Sequence, residues 1–294
     1  MNQENNMTTT YDIIGDVHGH HAKLKVLLEK LGYEKLKGSW AKPGHKAVFV
    51  GDLIDKGPAP ASVLTVVRDM VEAGNAMMVI GNHELNWIQE AADHTDDLMA
   101  FLDATDRHYC RRKLTAKFKY EPERLRDLFL WLRNQPLFID QDDLRVVHAC
   151  WNDDAIATLK QADIEVMDNK ALTSYRDMYS DIYLAIDLVV AGCAHRFPAS
   201  NPDSGFLSDR NRIRWWPENN VAIYPNEIQP EAAELPVPEP SQPPVFFGHY
   251  AMVGTPDLLG KNVAGVDFAA AYGGSLTAYR HVAGAPLDRQ QFVT

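Results

Sequence analysis

Short, mostly apolar runs, each closed by a polar block rich in Gly, Asp or His, alternate with stretches of helical periodicity along the first third of this 294-residue chain. Residues 11–14 end at Gly15, after which Leu24, Leu27, Leu28 and Leu31 recur at the spacing of one helix face. The unit returns at residues 47–50, which lead into Gly51-Asp52; Val63, Val66, Val67, Met70 and Val71 then mark an amphipathic helix closed by Gly74. A third copy runs from residues 77–80 into Gly81-Asn82, with helical pattern from Leu85 onward. Strands alternating with helices predict an α/β fold with a mainly parallel sheet whose polar turns share one edge.

The second half changes character. Residues 137–139 and 144–147 flank Asp140-Gln141-Asp142-Asp143 and read as a hairpin, which predicts a second sheet with antiparallel pairing. Residues 245–247, 263–266 and 276–279 continue the strand pattern. Residues 198–244 are weakly patterned, and Pro230, Pro236, Pro238, Pro240 and Pro243 among acidic residues predict an extended surface insertion. The expected organisation is a disordered N-terminus over residues 1–10 and a single domain over residues 11–294 that carries the insertion.

Composition narrows the class. The formal charge of -11 should repel nucleic-acid backbones and anionic membranes. No apolar run is long enough to span a bilayer and residues 1–10 lack a signal-peptide core, so the expected location is the cytoplasm. Cys110, Cys150 and Cys193 show no zinc or redox spacing and are expected as reduced thiols. Neither Cys150 nor Cys193 has an Arg six positions later, which excludes a cysteine-phosphatase loop, and no Walker-type Gly-Lys-Ser or Gly-Lys-Thr loop is present.

Five blocks carry the chemistry: Gly15-Asp16-Val17-His18-Gly19, Gly51-Asp52-Leu53-Ile54-Asp55, Gly81-Asn82-His83-Glu84, His148-Ala149-Cys150 and Gly248-His249-Tyr250. They supply a mixed oxygen and nitrogen donor set that suits two divalent transition metals, manganese(II), iron or zinc. One ion would take Asp16, His18 and Asp52; the second would take Asp52, Asn82, His148 and His249. Asp52, with two oxygens, would bridge them and a hydroxide held between the ions would attack phosphorus in line. Singly, each residue has a plainer role as a helix cap, turn residue or buried histidine; their joint occurrence carries the metal reading.

The series Gly-Asp-x-His-Gly, Gly-Asp-x-x-Asp-x-Gly and Gly-Asn-His-Glu, with two later histidines, resembles the phosphoprotein-phosphatase branch of the calcineurin-like metallophosphoesterases. Gly265-Val266-Asp267 followed by Gly273-Gly274-Ser275-Leu276-Thr277 resembles the closing segment of bacterial members, among them diadenosine tetraphosphatases and small serine/threonine phosphatases. The resemblance implies a four-layer sandwich of two central mixed sheets flanked by helices. It also implies that His83 protonates the leaving oxygen, that Asp55 orients His83, and that Glu84 supports the ligands from behind.

Lys56 stands where the family usually has arginine, so one compact charge replaces a planar fork on the phosphate. Arg212 and Arg214 alternate beside Trp215-Trp216 and could clamp a phosphate next to an aromatic ring. Arg111-Arg112-Lys113 reads as a solvated face. The expected activity is hydrolysis of phosphomonoesters, including phosphoproteins. Dinucleoside polyphosphates are the alternative substrate, and a non-catalytic regulatory or RNA-associated module is the more distant reading.

Overall fold

The computed structural model describes residues 9–196, 210–216, 221–223 and 242–294. The first third forms β1 (Thr10–Ile14), α1 (His21–Leu31), β2 (Glu34–Leu36), β3 (Ser39–Ala41), β4 (His45–Phe49), α2 (Pro60–Glu72) and β5 (Ala76–Met78). Helices then follow as α3 (Asn82–Ala91), α4 (Leu98–Asp106), α5 (Arg112–Lys117) and α6 (Pro122–Arg133). After the hairpin β6 (Phe138–Gln141) and β7 (Leu144–Val147) come α7 (Asp153–Gln161), α8 (Asn169–Tyr175) and α9 (Asp181–Ala191). The short strands β8 (Ala194–Arg196), β9 (Arg210–Arg212) and β10 (Ala222–Ile223) precede β11 (Val245–Phe247), β12 (Met252–Val253), β13 (Val263–Gly265), β14 (Ala278–Val282) and β15 (Phe292–Val293).

Two mixed sheets form the centre. The first has the order β15-β14-β1-β4-β5, with β1, β4 and β5 parallel and β14 antiparallel to β1. The second has the order β13-β11-β7-β6, with β13, β11 and β7 parallel and β6 antiparallel to β7. Alternation along the strands separates two apolar layers. Tyr11, Ile13, Val48 and Val50 of the first sheet meet Val146, Phe246, Ala264 and Val266 of the second, while Ile14, Ala47 and Phe49 turn to the helix side. This is the expected α/β arrangement of two mixed sheets covered by helices.

The hairpin expected in the second half is present as the antiparallel pair β6 and β7. The rest of that sheet is parallel, because β7 returns to β11 through a long crossover that contains α7, α8 and α9. The strand expected at residues 276–279 is β14, and it belongs to the first sheet, beside β1. Residues 1–8 of the expected disordered terminus lie outside the described residues, and Thr10 already pairs with Val282 and His45. Most of the expected insertion at 198–244 also lies outside them.

Candidate metal centre

Every candidate block follows the C-terminal end of a strand in one of the two parallel sets, so the topology delivers all of them to one rim. Asp16 and His18 follow β1, Asp52 and Asp55 follow β4, and Asn82 and His83 open α3 after β5. His148 follows β7 and His249 follows β11. Backbones crowd closely there: a Cβ on Gly81 would lie 2.2 Å from Asp52 Oδ1, and one on Gly248 would lie 2.1 Å from Asp16 Oδ1.

Asp52 is the centre of the cluster. Its Oδ1 lies 3.4 Å from His148 Nε2 and its Oδ2 lies 3.4 Å from His18 Nε2, so the two oxygens face different imidazoles. His18 Nδ1–H donates to Ile54 O (3.0 Å) and His148 Nδ1–H donates to Val50 O (2.7 Å), which turns the Nε2 atom of each ring toward the cluster. Asn82 Oδ1 lies 3.2 Å from His148 Nε2 and 2.9 Å from His249 Nδ1. The Asp16 carboxylate accepts the His249 backbone N–H with both oxygens, at 3.2 Å each.

The donor atoms group as His18, Asp52 and His83, and as Asp16, Asp52 and His148. Asp52 is common to both groups, as in the sequence reading, but the partition differs: His83 joins the first group and Asp16 falls with His148. Asp16 Oδ2 is still only 3.9 Å from His18 Nε2, so Asp16 stands between the two groups.

Burial and mutual charge shift the titratable groups of this cluster in opposite directions. Burial pushes the Asp16 carboxyl well above the ordinary carboxylate range, and the charges of Asp267 and Asp52 add to the rise against the pull of His148. Burial would raise Asp52 too, but His148 and His83 outweigh it and hold that carboxyl well below its usual value. Burial lowers His148, yet Asp52 and Asp16 prevail and lift it to about 9. In His18 and His249 burial dominates, so both imidazoles sit well below their usual range and are neutral at physiological pH. An ionised Asp52, an Asp16 carboxyl that burial and like charge drive toward protonation, the neutral imidazoles of His18 and His249 and the Asn82 amide oxygen form a donor set that fits divalent cations.

Around this centre, His83 Nδ1 lies 2.6 Å from Asp55 Oδ2, the pair expected from the sequence. Glu84 is fully buried; its carboxylate accepts the backbone N–H groups of Asp52, Leu53, Ile54 and Gly81 and so binds the loop after β4 to α3. Burial and the Asp52 charge push Glu84 up to about 7 against those donors. Lys56 Nζ lies 3.0 Å from His18 Nε2 and 4.9 Å from the Tyr272 ring centroid.

The cavity over the cluster is lined by Asp16, His18, Asp52, Lys56, Arg212 and His249, with Asp267 and Tyr272 also on its wall. A larger cavity of about 410 Å³ opens between α1 and residues 273–276; it contains none of the candidate ligands.

Arg212 donates through Nη1 to His249 O at 2.5 Å and lines the cavity. Arg214 is not among the lining residues; it lies beyond β9, which ends at Arg212. Trp215 and Trp216 are buried: Trp215 Nε1 donates to Ala149 O and both rings pack on Phe247, so they form core and not a stacking platform. Arg111, read as solvated, has no exposed surface. Asp267 was missed as a site residue. It ends the apolar run 263–266 as Asp52 ends residues 47–50, and it accepts the N–H groups of Ala251 and Ala269.

A two-sheet α/β sandwich that gathers carboxylate, amide and imidazole donors on one rim defines a hydrolase of phosphoesters built to hold metal. The chain belongs to the calcineurin-like phosphoesterases, whose family model matches residues 9–272. It is 27% identical over 285 residues to a symmetrical bis(5'-nucleosyl)-tetraphosphatase of a Janthinobacterium species, with 92% of each chain covered. It is 28% identical to a protein of the same name in Cronobacter sakazakii, with 92% of this chain and 90% of the relative covered. A 74-residue stretch is 49% identical to the asymmetrical bis(5'-nucleosyl)-tetraphosphatase PrpE of Halalkalibacterium halodurans, covering 25% of this chain and 30% of that protein. Among solved structures, the cold-active protein-tyrosine phosphatase of a psychrophilic Shewanella shares the fold, with a TM-score of 0.54 at 18% identity over 93% of this chain and 75% of that one. Members of this family use divalent metals.

Proposed function

We propose that this hydrolase cleaves dinucleoside polyphosphates symmetrically, as a bis(5'-nucleosyl)-tetraphosphatase using two divalent cations. The carrying observation is the divergence of the Asp52 oxygens toward His148 on one side and His18 on the other. Relatives aligned over about nine tenths of both chains bear the symmetrical tetraphosphatase name, which supports the substrate class. The phosphoprotein substrate expected from the sequence gains no such support, since the phosphatase resemblance in structure is one of fold.

Asp16, His18 and Asp52 would hold one cation, and Asp52, Asn82, His148 and His249 the other; the position of His83 Nε2, 3.8 Å from Asp52 Oδ2, keeps it facing the same centre. Bound cations would supply the positive charge that acidifies water and neutralises phosphate oxygens. The remaining steps belong to the chain. Lys56 and Arg212 present their charges to the cavity and hold the polyphosphate oxygens. Asp55 fixes the His83 ring through Nδ1, so that a proton on Nε2 can pass to the departing phosphate oxygen. Lys56 and a metal compete for the His18 Nε2 lone pair, so the lysine has reason to be available for phosphate once metal is bound.

The test is incubation of the manganese-loaded protein with diadenosine tetraphosphate, phosphopeptides and mononucleotides, with products resolved by anion-exchange chromatography. Adenosine diphosphate as the sole nucleotide product, at the highest kcat/KM in the panel, is the expected result. Equal ATP and AMP would replace the symmetrical reading by the asymmetrical one, and a preference for phosphopeptides would overturn the substrate class.

A further inference from the structure

Arg111 is a fully buried guanidinium in the short helical turn Tyr109–Arg111 between α4 and α5, outside every motif that carries the metal ligands. Two of its nitrogens grip Glu90: Nη2 donates to Oε1 at 3.1 Å, and Nη1 lies 3.1 Å from Oε2. Its Nε points the other way, 3.9 Å from Asp55 Oδ1. At that distance the two form an ion pair and not a hydrogen bond, and among the described residues neither that Nε nor that Oδ1 has a hydrogen-bond partner. Asp55 is itself almost wholly buried, and its second oxygen is the one bonded to His83 Nδ1.

Two physical facts make the arrangement more than packing. A carboxylate rotates as a rigid plane, so whatever fixes Oδ1 also sets the direction in which Oδ2 meets the imidazole. Asp55 holds a left-handed backbone, φ 66°, a conformation uncommon outside glycine although aspartate reaches it more readily than most residues. Glu90 lies on α3, the same helix that begins with Asn82 and His83, and Asp55 lies on the loop after β4. One guanidinium therefore spans the two elements whose relative position sets the imidazole–carboxylate contact.

We propose that Arg111 is a positioning residue for the His83–Asp55 pair, holding the Asp55 carboxylate between the α3 helix and the imidazole. The proposal rests on the acid role assigned to His83 above, and goes beyond it by naming what orients the acid's partner.

The experiment compares Arg111→Met, Arg111→Lys and Glu90→Ala, each alone, with His83→Asn alone and combined with Arg111→Met. Activity is measured on phenyl phosphate, a poor leaving group, and on p-nitrophenyl phosphate, a good one. Arg111→Met should lower kcat on phenyl phosphate about tenfold more than on p-nitrophenyl phosphate. KM should change little, Arg111→Lys should recover part of the loss, and no further selective loss should appear in the His83→Asn background. A spectroscopic readout accompanies the kinetics: the His83 Nδ1 proton, held downfield by the 2.6 Å bond to Asp55, should move upfield in Arg111→Met. If Arg111→Met does not fold, Glu90→Ala, which frees the guanidinium through a partly exposed partner, should give the same two signatures at smaller amplitude. Equal losses on both esters with an unmoved resonance, while His83→Asn remains selective, would overturn the Arg111 role alone. Loss of selectivity in His83→Asn itself would sink the acid reading and the Arg111 proposal together.

Discussion

At the scale of single residues, this rim is built from backbone that most side chains avoid. His18 (φ 42°), Asp52 (φ 50°), Asp55 (φ 66°), Lys56 (φ 52°) and His249 (φ 69°) all lie in the left-handed region, which is normally left to glycine. Such strain persists where surrounding bonds leave no alternative, here the Glu84 carboxylate under residues 52–54 and the Asp16 carboxylate under His249. Asp52→Asn keeps the shape and removes the charge shared by both metal groups. It should lower metal content for both ions together and reduce kcat more than about a hundredfold, beyond what loss of an outer hydrogen-bond partner costs. Elemental analysis with a turnover assay checks it; retention of one full equivalent of metal would count against a bridging role. The six proposed ligands were legible in the sequence because each sits in a short block with its own punctuation. Arg111 and Trp215 were not, since a charged residue in a helical stretch and an aromatic beside arginines read the same whether they are buried or exposed.

At the scale of elements, the strand, turn and helix units were legible because each is specified by residues close together in the chain. Leu24, Leu27, Leu28 and Leu31 are all buried on one face of α1, as their spacing requires. Partners of strands were less legible. The residues of β14 read as a strand whichever sheet receives them, and only the twist and crossover of the complete chain seat them beside β1. The approach of the β4 loop to α3 is also an element-level property. It depends on Gly81, where an added Cβ would meet Asp52 Oδ1 at 2.2 Å and Asp52 N at 2.5 Å. Gly81→Ala should therefore displace Asp52 more than it unfolds the protein. Metal affinity should fall at least about tenfold, while the melting temperature drops by only about 2–4 °C. Isothermal titration with manganese beside calorimetry checks this, and unchanged affinity would refute the coupling.

For the whole molecule, the buried cluster ties stability to pH and metal. In metal-free protein, His148 is lifted from its ordinary value to about 9 by Asp52 and Asp16. A raised histidine contributes stability that is complete below its unfolded value near 6.5 and lost as pH rises through about 9. The full contribution is about 3 kcal/mol. Asp16, raised by burial, acts in the same direction, and His18 and His249, lowered by burial, cost stability only below about 6.5. Chelator-treated protein should therefore melt at a lower temperature at pH 9 than at pH 7. Metal binding needs these ligands deprotonated, so manganese should raise the melting temperature more at pH 9 than at pH 7. Calorimetry at both pH values, with and without chelator, decides; a metal-free melting temperature that rises toward pH 9 would contradict the assignment.

The chain by itself determined the class of chemistry. Donor residues with Gly-marked turns at strand ends are local patterns, and local patterns survive in one dimension. Tertiary structure decided which donors meet and which charges vanish from solvent. Asp16 and the His249 backbone touch across 233 positions, and Arg111 reaches Asp55 from a helical turn that no motif announces. The first pairing follows from where two sheets bring their strand ends together and the second from how the helices pack over them, because burial and contact depend on the packing of distant segments and not on the order of neighbouring residues.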